Sequence, residues 1–184
     1  IDMETMGLAI DAPIVEVAMV VTDAELRQIG EPLVRCVVYD AREWAVMCEP
    51  VAYQMHHETG LVALSVDGYA KHPAQALLEK EHADPRHRMA GLDADLLGWI
   101  VTQQGFKNRE CVLAGSSIHT DRAWLRHHCP RIESYLHYRQ VDVSAVKELV
   151  SRWLVPNISE LLKRHREHGT RHRALDDVAA RAAP

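Results

Sequence analysis

Asp2 and Glu4 lie two residues apart in Ile1–Thr5, a segment that reads as a strand, so both carboxylates leave one face and can converge on one site. Two acids on one face of an otherwise apolar sheet repel one another and are costly to desolvate. Divalent cations neutralise such a pair and coordinate its hard oxygen donors. A metal is the economical partner, although a solvated strand end is the commoner explanation of an isolated Asp-x-Glu. Asp121 falls just inside a predicted helix that follows the apolar run Cys111–Ala114, and Asp177 lies five residues after His172 in a C-terminal helical segment. Taken singly, these aspartates read as solvated helical acids, and His172 as a surface or satisfied histidine.

The elements that must position these residues follow from the apolar spacing. Clusters at Ile14–Val21 and Leu33–Tyr39, separated by the turn-forming Thr22, Asp23 and Gly30, extend the first strand into an antiparallel meander. Helical spacing takes over across Ala41–Glu58. Pro73–His82 and Leu92–Gln104 read as amphipathic helices, the second with Leu92, Leu96, Trp99 and Ile100 on its apolar face. Between them, the charged segment Glu81–Arg88 reads as a solvated loop. Cys111–Ala114 predicts a short strand ended by Gly115, with Thr120 capping the next helix. Arg139–Val143 predicts another strand, followed by helices over Ser144–Leu154 and from Pro156 to Glu167. Gly169 ends the latter, and the last helix begins at Arg173. A meander followed by strands alternating with helices indicates an α/β fold whose site lies at strand ends.

With 184 residues, 47% of them hydrophobic, the chain has the size of a single domain spanning 1–184. Cys36, Cys48, Cys111 and Cys129 are far apart and form no Cys-x-x-Cys pair, which argues against a zinc ribbon or redox motif and fits a reducing, cytoplasmic setting. No apolar run approaches the roughly 20 residues of a membrane span, and no basic-then-apolar signal segment opens the chain, so a soluble protein is expected. The formal charge of −5 argues against a stable complex with long nucleic acid, which needs a dense basic surface, but allows a small phosphate-bearing ligand. Because the sequence opens inside a strand and stops soon after a helix begins, both ends read as trimmed.

Asp-x-Glu, an Asp about 120 residues on and a C-terminal His-x-x-x-x-Asp form, in that order, the pattern of DEDD exonucleases of the histidine subclass. Nearly the whole chain resembles that group. Within it, IDMETMGL at 1–8, MHHETGL at 55–61, LAGSSIHTD at 113–121, HYRQVDVSAVKEL at 137–149 and HRALDD at 172–177 resemble the oligoribonuclease family. The resemblance implies a ribonuclease H-like mixed sheet flanked by α-helices, a homodimer, and 3′-to-5′ hydrolysis of very short 5′-phosphorylated RNAs. It also implies two divalent cations, Mg2+ or Mn2+, held by Asp2, Glu4, Asp121 and Asp177, with His172 as general base. An imidazole titrating near neutrality suits that task better than a metal-bound carboxylate. Asp176 points about 100° away from Asp177 on a helix and reads as a surface acid. By the same resemblance, Ser117, Arg139 and Ser144 contact the 5′-phosphate, Leu8 wedges between bases, and His56 and the partner protomer's Tyr138 close over the substrate. Leu8 also reads as a core leucine, and Arg139 as a surface arginine whose planar fork suits phosphate.

Three positions depart from the family pattern: Met6 stands in place of threonine, Ser116 in place of asparagine, and Val51 where an aromatic residue is usual. Base stacking on an aromatic side chain is worth about 1–3 kcal/mol, so an aliphatic residue at 51 bears on substrate length rather than metal chemistry. His165, His168 and His172 have helical ligand spacing, but Gly169 interrupts it. Residues 115–117 are not a nucleophile elbow, and no glycine-rich phosphate loop is present. Two alternatives stay open: a DEDD exonuclease acting on longer RNA or DNA, and a non-catalytic nucleotide-binding dimerisation module.

Overall fold

The computed structural model describes residues 1–67, 85–103, 105–154 and 173–175. Three strands, β1 (Asp2–Thr5), β2 (Ile14–Thr22) and β3 (Gln28–Cys36), form an antiparallel sheet in the order β1-β2-β3. β1 and β2 pair with Asp2 opposite Ala18 and Glu4 opposite Glu16, and a bulge follows Glu4. Two further strands, β4 (Leu113–Gly115) and β5 (Gln140–Asp142), pair in parallel. The Ile1 nitrogen donates to the Ala114 carbonyl at 3.2 Å, which brings β4 alongside the start of β1. Gly115 permits that approach, because a Cβ there would come within 3.1 Å of the Ile1 carbonyl and 2.9 Å of Ile118 Cδ1.

β2 is buried on both faces, as a strand covered from two sides must be. Met3, Val15, Val17 and Met19 enter the main core with Trp44, Leu92, Leu96, Trp99 and Leu125. On the opposite face Ala18 packs against Ala174, with Val34 and Leu175 beside them. That second face also carries Asp2, Glu4 and Glu16, since register partners and alternate residues share a side.

The meander is confirmed with one shift: β3 begins at Gln28 and ends at Cys36 rather than running through Leu33–Tyr39. Its exposed first half is held by backbone pairing of Val21 with Ile29 and Thr22 with Gln28, which an apolar count does not register. The helix expected over Ala41–Glu58 is two helices, α1 (Ala41–Met47) and α2 (Pro50–Glu58). Cys48 and Glu49 between them are extended, as the residue before a proline prefers. Asp40 starts α1 with a reciprocal capping box to Glu43. A third helix, α3 (Leu61–Asp67), was not anticipated.

α4 (Pro85–Gly98) begins seven residues before Leu92 and continues into a π-helical turn at Trp99–Gln103. The solvated loop expected at Glu81–Arg88 is therefore helical from Pro85. Arg88 packs over the Tyr39 ring and pairs with Glu43 at 2.8 Å. α5 (Ile118–His128) starts two residues before Thr120, so Thr120 does not cap it. Ser117 precedes the helix in a left-handed backbone conformation (φ 52°). α6 (Pro130–Tyr135) and α7 (Val143–Leu149) follow, the latter extended by a π-helical turn at Val150–Leu154. The helices expected at Pro73–His82 and Pro156–Glu167, and the part of the last expected helix beyond Leu175, lie outside the described residues. Among those described, no helix is long and apolar enough to cross a membrane.

Asp93 of α4 joins two helices by accepting from the first free N–H groups of α6, Arg131 at 2.9 Å and Ile132 at 2.9 Å. Asp93 is buried, so its removal leaves both donors without their acceptor in a dry site. Asp93→Ala is expected to cost about 2–3 kcal/mol of stability, read as a lower urea midpoint at unchanged slope.

Candidate active site

Asp2 and Glu4 are 8% and 7% exposed, and Met3 between them enters the core, so the strand period turns both acids toward one face. Asp121, 7% exposed, sits in the first turn of α5, which packs against β1. Helix α5 is fastened to the loop after β1 at two points. Trp124 Nε1 donates to the Ala9 carbonyl at 2.9 Å, and His128 Nε2 lies 2.9 Å from the Ala12 carbonyl. Residues 121, 124 and 128 share one helical face, so the same contacts orient Asp121 toward the side of α5 that faces the β1 loop.

The chain around residue 173 docks on the acidic face of the sheet. Glu16, register partner of Glu4, is buried and receives Arg173 through Nε at 3.1 Å and Nη2 at 2.8 Å. It also accepts the Ala174 N–H at 2.9 Å. Arg173 and Ala174 are thereby fixed on the side of β2 that carries Ala18 and Glu16. His172 and Asp177, like Asp176, lie outside the described residues, yet the residue that follows His172 is anchored beside Glu4.

His56 is 0% exposed, its ring packed edge-on against Trp44 at 5.9 Å. Nε2 lies 2.8 Å from the Thr5 carbonyl, which can only accept, so that nitrogen carries the hydrogen. Nδ1 then faces the Glu4 carboxylate at 4.0 Å. His56 lies in the last turn of α2, which places its ring between Trp44 of α1 and the end of β1.

Leu8 reverses its core reading, being 85% exposed. The loop that carries it is strapped to α2: Glu49 N–H donates to the Met6 carbonyl at 2.7 Å, and the Glu49 carboxylate accepts the Leu8 N–H at 3.1 Å. A Cβ at Gly7 would meet that carboxylate, so a larger residue there must displace the Glu49 side chain that takes the Leu8 N–H. Val51, one turn into α2, is also exposed.

Ser117 and Ser144 meet just past the C-terminal ends of the parallel strands, whereas Tyr138 and Arg139 precede the start of β5. Ser117 N–H donates to Asp142 Oδ1 at 3.0 Å and to Ser144 Oγ at 3.1 Å, and the two serine hydroxyls lie 3.3 Å apart. Tyr138 is 63% exposed, with the Arg139 guanidinium 5.4 Å from its ring centroid. Asp142, at the centre of this cluster, was missed; its signal was its place two residues before Ser144, where an aspartate caps a helix. Desolvation acts to raise its carboxyl, but donors from His119, Ser144, Ala145 and Ser117 hold it below the usual range. It is therefore ionised at neutral pH with its charge already engaged.

The family profile for exonucleases, RNase_T, matches residues 78–183. The chain is 36% identical over 184 residues to the oligoribonuclease of Corynebacterium glutamicum strain R, covering 97% of this chain and 71% of that protein. It is 31% identical to the oligoribonuclease of Pseudomonas aeruginosa PAO1, over 97% of this chain and 86% of that protein. For the oligoribonuclease of Neisseria meningitidis serogroup A the identity is 31%, with 97% and 82% covered. The chain belongs to the oligoribonuclease family of exonucleases.

As an oligoribonuclease it is a nuclease of ribonuclease H-like α/β fold that depends on divalent metal. Its donor set fits such an ion: Asp2, Glu4 and Asp121 offer hard oxygen ligands on packed elements, all more than nine-tenths buried. Among the described residues no three acids, histidines or cysteines already stand together as a metal cage.

Proposed function

We propose that this oligoribonuclease hydrolyses dinucleotides and other very short 5′-phosphorylated RNAs from the 3′ end to nucleoside 5′-monophosphates. The observation that supports the reading is the burial of Asp2 and Glu4 on one face of β1, with Arg173 and Ala174 docked on Glu16 of that face and with Asp121 buried in the first turn of α5, which packs against β1. Asp2, Glu4, Asp121 and Asp177 would hold two divalent ions, Mg2+ or Mn2+. Bound there, the ions supply charge stabilisation at the scissile phosphate and lower the pKa of the attacking water. His172 takes that water's proton, a role suited to imidazole. His56 supports Glu4 from beneath. Ser117, Ser144 and Arg139 bind the 5′-phosphate, and the cap they form limits substrate length.

The chain acts as one domain over 1–184, and as a homodimer whose partner contributes Tyr138. Supporting the dimer is an exposed apolar run beside the cap: Tyr138 and Val141, then Val146, Leu149 and Trp153 at helical spacing along α7 and its π-helical turn. The four cysteines are free thiols, in keeping with the cytoplasm.

Hydrolysis of 5′-phosphorylated RNAs of two to about seven nucleotides, with Mg2+, Mn2+ or chelator, tests the reading. Fastest metal-dependent cleavage of the shortest chains is expected. Equal or faster cleavage of long RNA or DNA would make the chain a general DEDD exonuclease, and no metal-dependent cleavage would make it a binding module.

Leu8 offers a separate check. At 85% exposure it contributes little to the core, so Leu8→Ala is expected to leave the melting temperature within a degree or two. Losing its apolar contact with a base should raise KM for a dinucleotide about fivefold, equivalent to about 1 kcal/mol, with kcat nearly constant. A large loss of stability at constant KM would return Leu8 to the core.

A further inference from the structure

The sequence gives Arg122 no distinction beyond its place after Asp121, yet it is buried and its guanidinium is almost wholly committed. Nη1 donates to the carbonyls of Tyr138 at 3.0 Å and Arg139 at 3.3 Å, and Nη2 donates to the carbonyl of His137 at 3.0 Å. Nε donates to Glu133 at 3.0 Å. Burial works to raise the Glu133 carboxyl, but hydrogen bonds and charge from Arg122 and Arg126 hold it below the usual range, so it stays an anion.

Three successive carbonyls turned to one planar cation fix the path of residues 137–139. With their carbonyls held inward on α5, Tyr138 and Arg139 project their side chains to solvent. We propose that Arg122 is a positioning residue for 5′-phosphate recognition: it locks the segment bearing Tyr138 and Arg139 to the helix that bears Asp121, and so sets the distance between the phosphate cap and the acidic face. The proposal rests on the reading of Ser117, Arg139 and Ser144 as phosphate contacts. It adds to that reading the device by which the cap keeps its spacing. Phosphate contacts floating on a free loop would admit substrates of several lengths, whereas a loop tied one residue from Asp121 measures from the scissile bond to the 5′ end. Lysine cannot replace it, because three donors on one nitrogen do not span three carbonyls and a carboxylate.

The test compares a 5′-phosphorylated dinucleotide with the same dinucleotide bearing a 5′-hydroxyl, in the parent and in Arg122→Lys. In the variant, KM for the phosphorylated substrate is expected to rise about tenfold, the effect of losing one well-aligned set of charge-assisted hydrogen bonds. The parent's preference for the 5′-phosphate falls by the same factor, and cleavage of trinucleotides and tetranucleotides gains relative to dinucleotides. A merely structural role would lower kcat for both substrates together and leave preference and length profile intact. That result overturns the proposal. Arg122→Gln, which removes the charge as well, is read in the same way if the lysine variant does not fold. Cleavage by the parent with discrimination retained in both variants sinks this proposal alone, whereas no cleavage by the parent overturns the functional reading and the proposal with it.

Discussion

Asp121→Ala is expected to lower kcat/KM on a 5′-phosphorylated dinucleotide by at least about a hundredfold, because loss of a group merely supporting a metal ligand already costs 10–100-fold. The fold should survive. α5 keeps Trp124 on the Ala9 carbonyl, Leu125 in the core and Arg122 on the 137–139 carbonyls. Thermal unfolding with and without Mn2+ separates the two effects: an ion that binds only the native state raises the melting temperature of the parent, and less so that of the variant. Full activity in Asp121→Ala, or an unchanged response to Mn2+, would remove Asp121 from the metal site.

The second large effect is at His172. Removing a general base costs about 10²–10⁴-fold in rate, so His172→Ala should lower kcat by that order while KM and the Mn2+-dependent rise in melting temperature stay close to those of the parent. The reason lies one residue away. Arg173 and Ala174, the residues that follow His172, are held by Glu16, the buried carboxylate opposite Glu4. A variant that keeps kcat would assign the proton to another group, and one that loses its response to Mn2+ would make His172 a ligand instead.

The pairing of Asp2 and Glu4 on one face could be read from the sequence because it is periodic and local. Asp2 and Glu4 alternate with a core methionine, and the period of a strand is enough to place them together. The meander, α5 and α7 followed from apolar spacing, whereas α3 and α6 did not, a proline at position 50 split one expected helix, and helix formers between Pro85 and Leu92 preceded the apolar run. Orientation was harder. His56 and Leu8 each sat in a recognisable motif, but a motif does not say which way a side chain faces: Trp44 holds His56 inward, and Glu49 holds the loop that turns Leu8 outward. Arg122, Asp142 and Glu16 were missed for a different reason. Their partners are backbone groups and side chains brought together by folding: Arg122 reaches carbonyls 15 to 17 residues away, and Asp142 accepts from Ser117, 25 residues before it. No periodicity signals such pairings.

The distance along the chain between Glu16 and Arg173, 157 residues, also sets an order of events. The strands bearing Asp2, Glu4 and Glu16 are synthesised before Arg173 and Ala174, the residues that dock on Glu16. A nascent chain has its acids without residues 172–177 until synthesis passes that point.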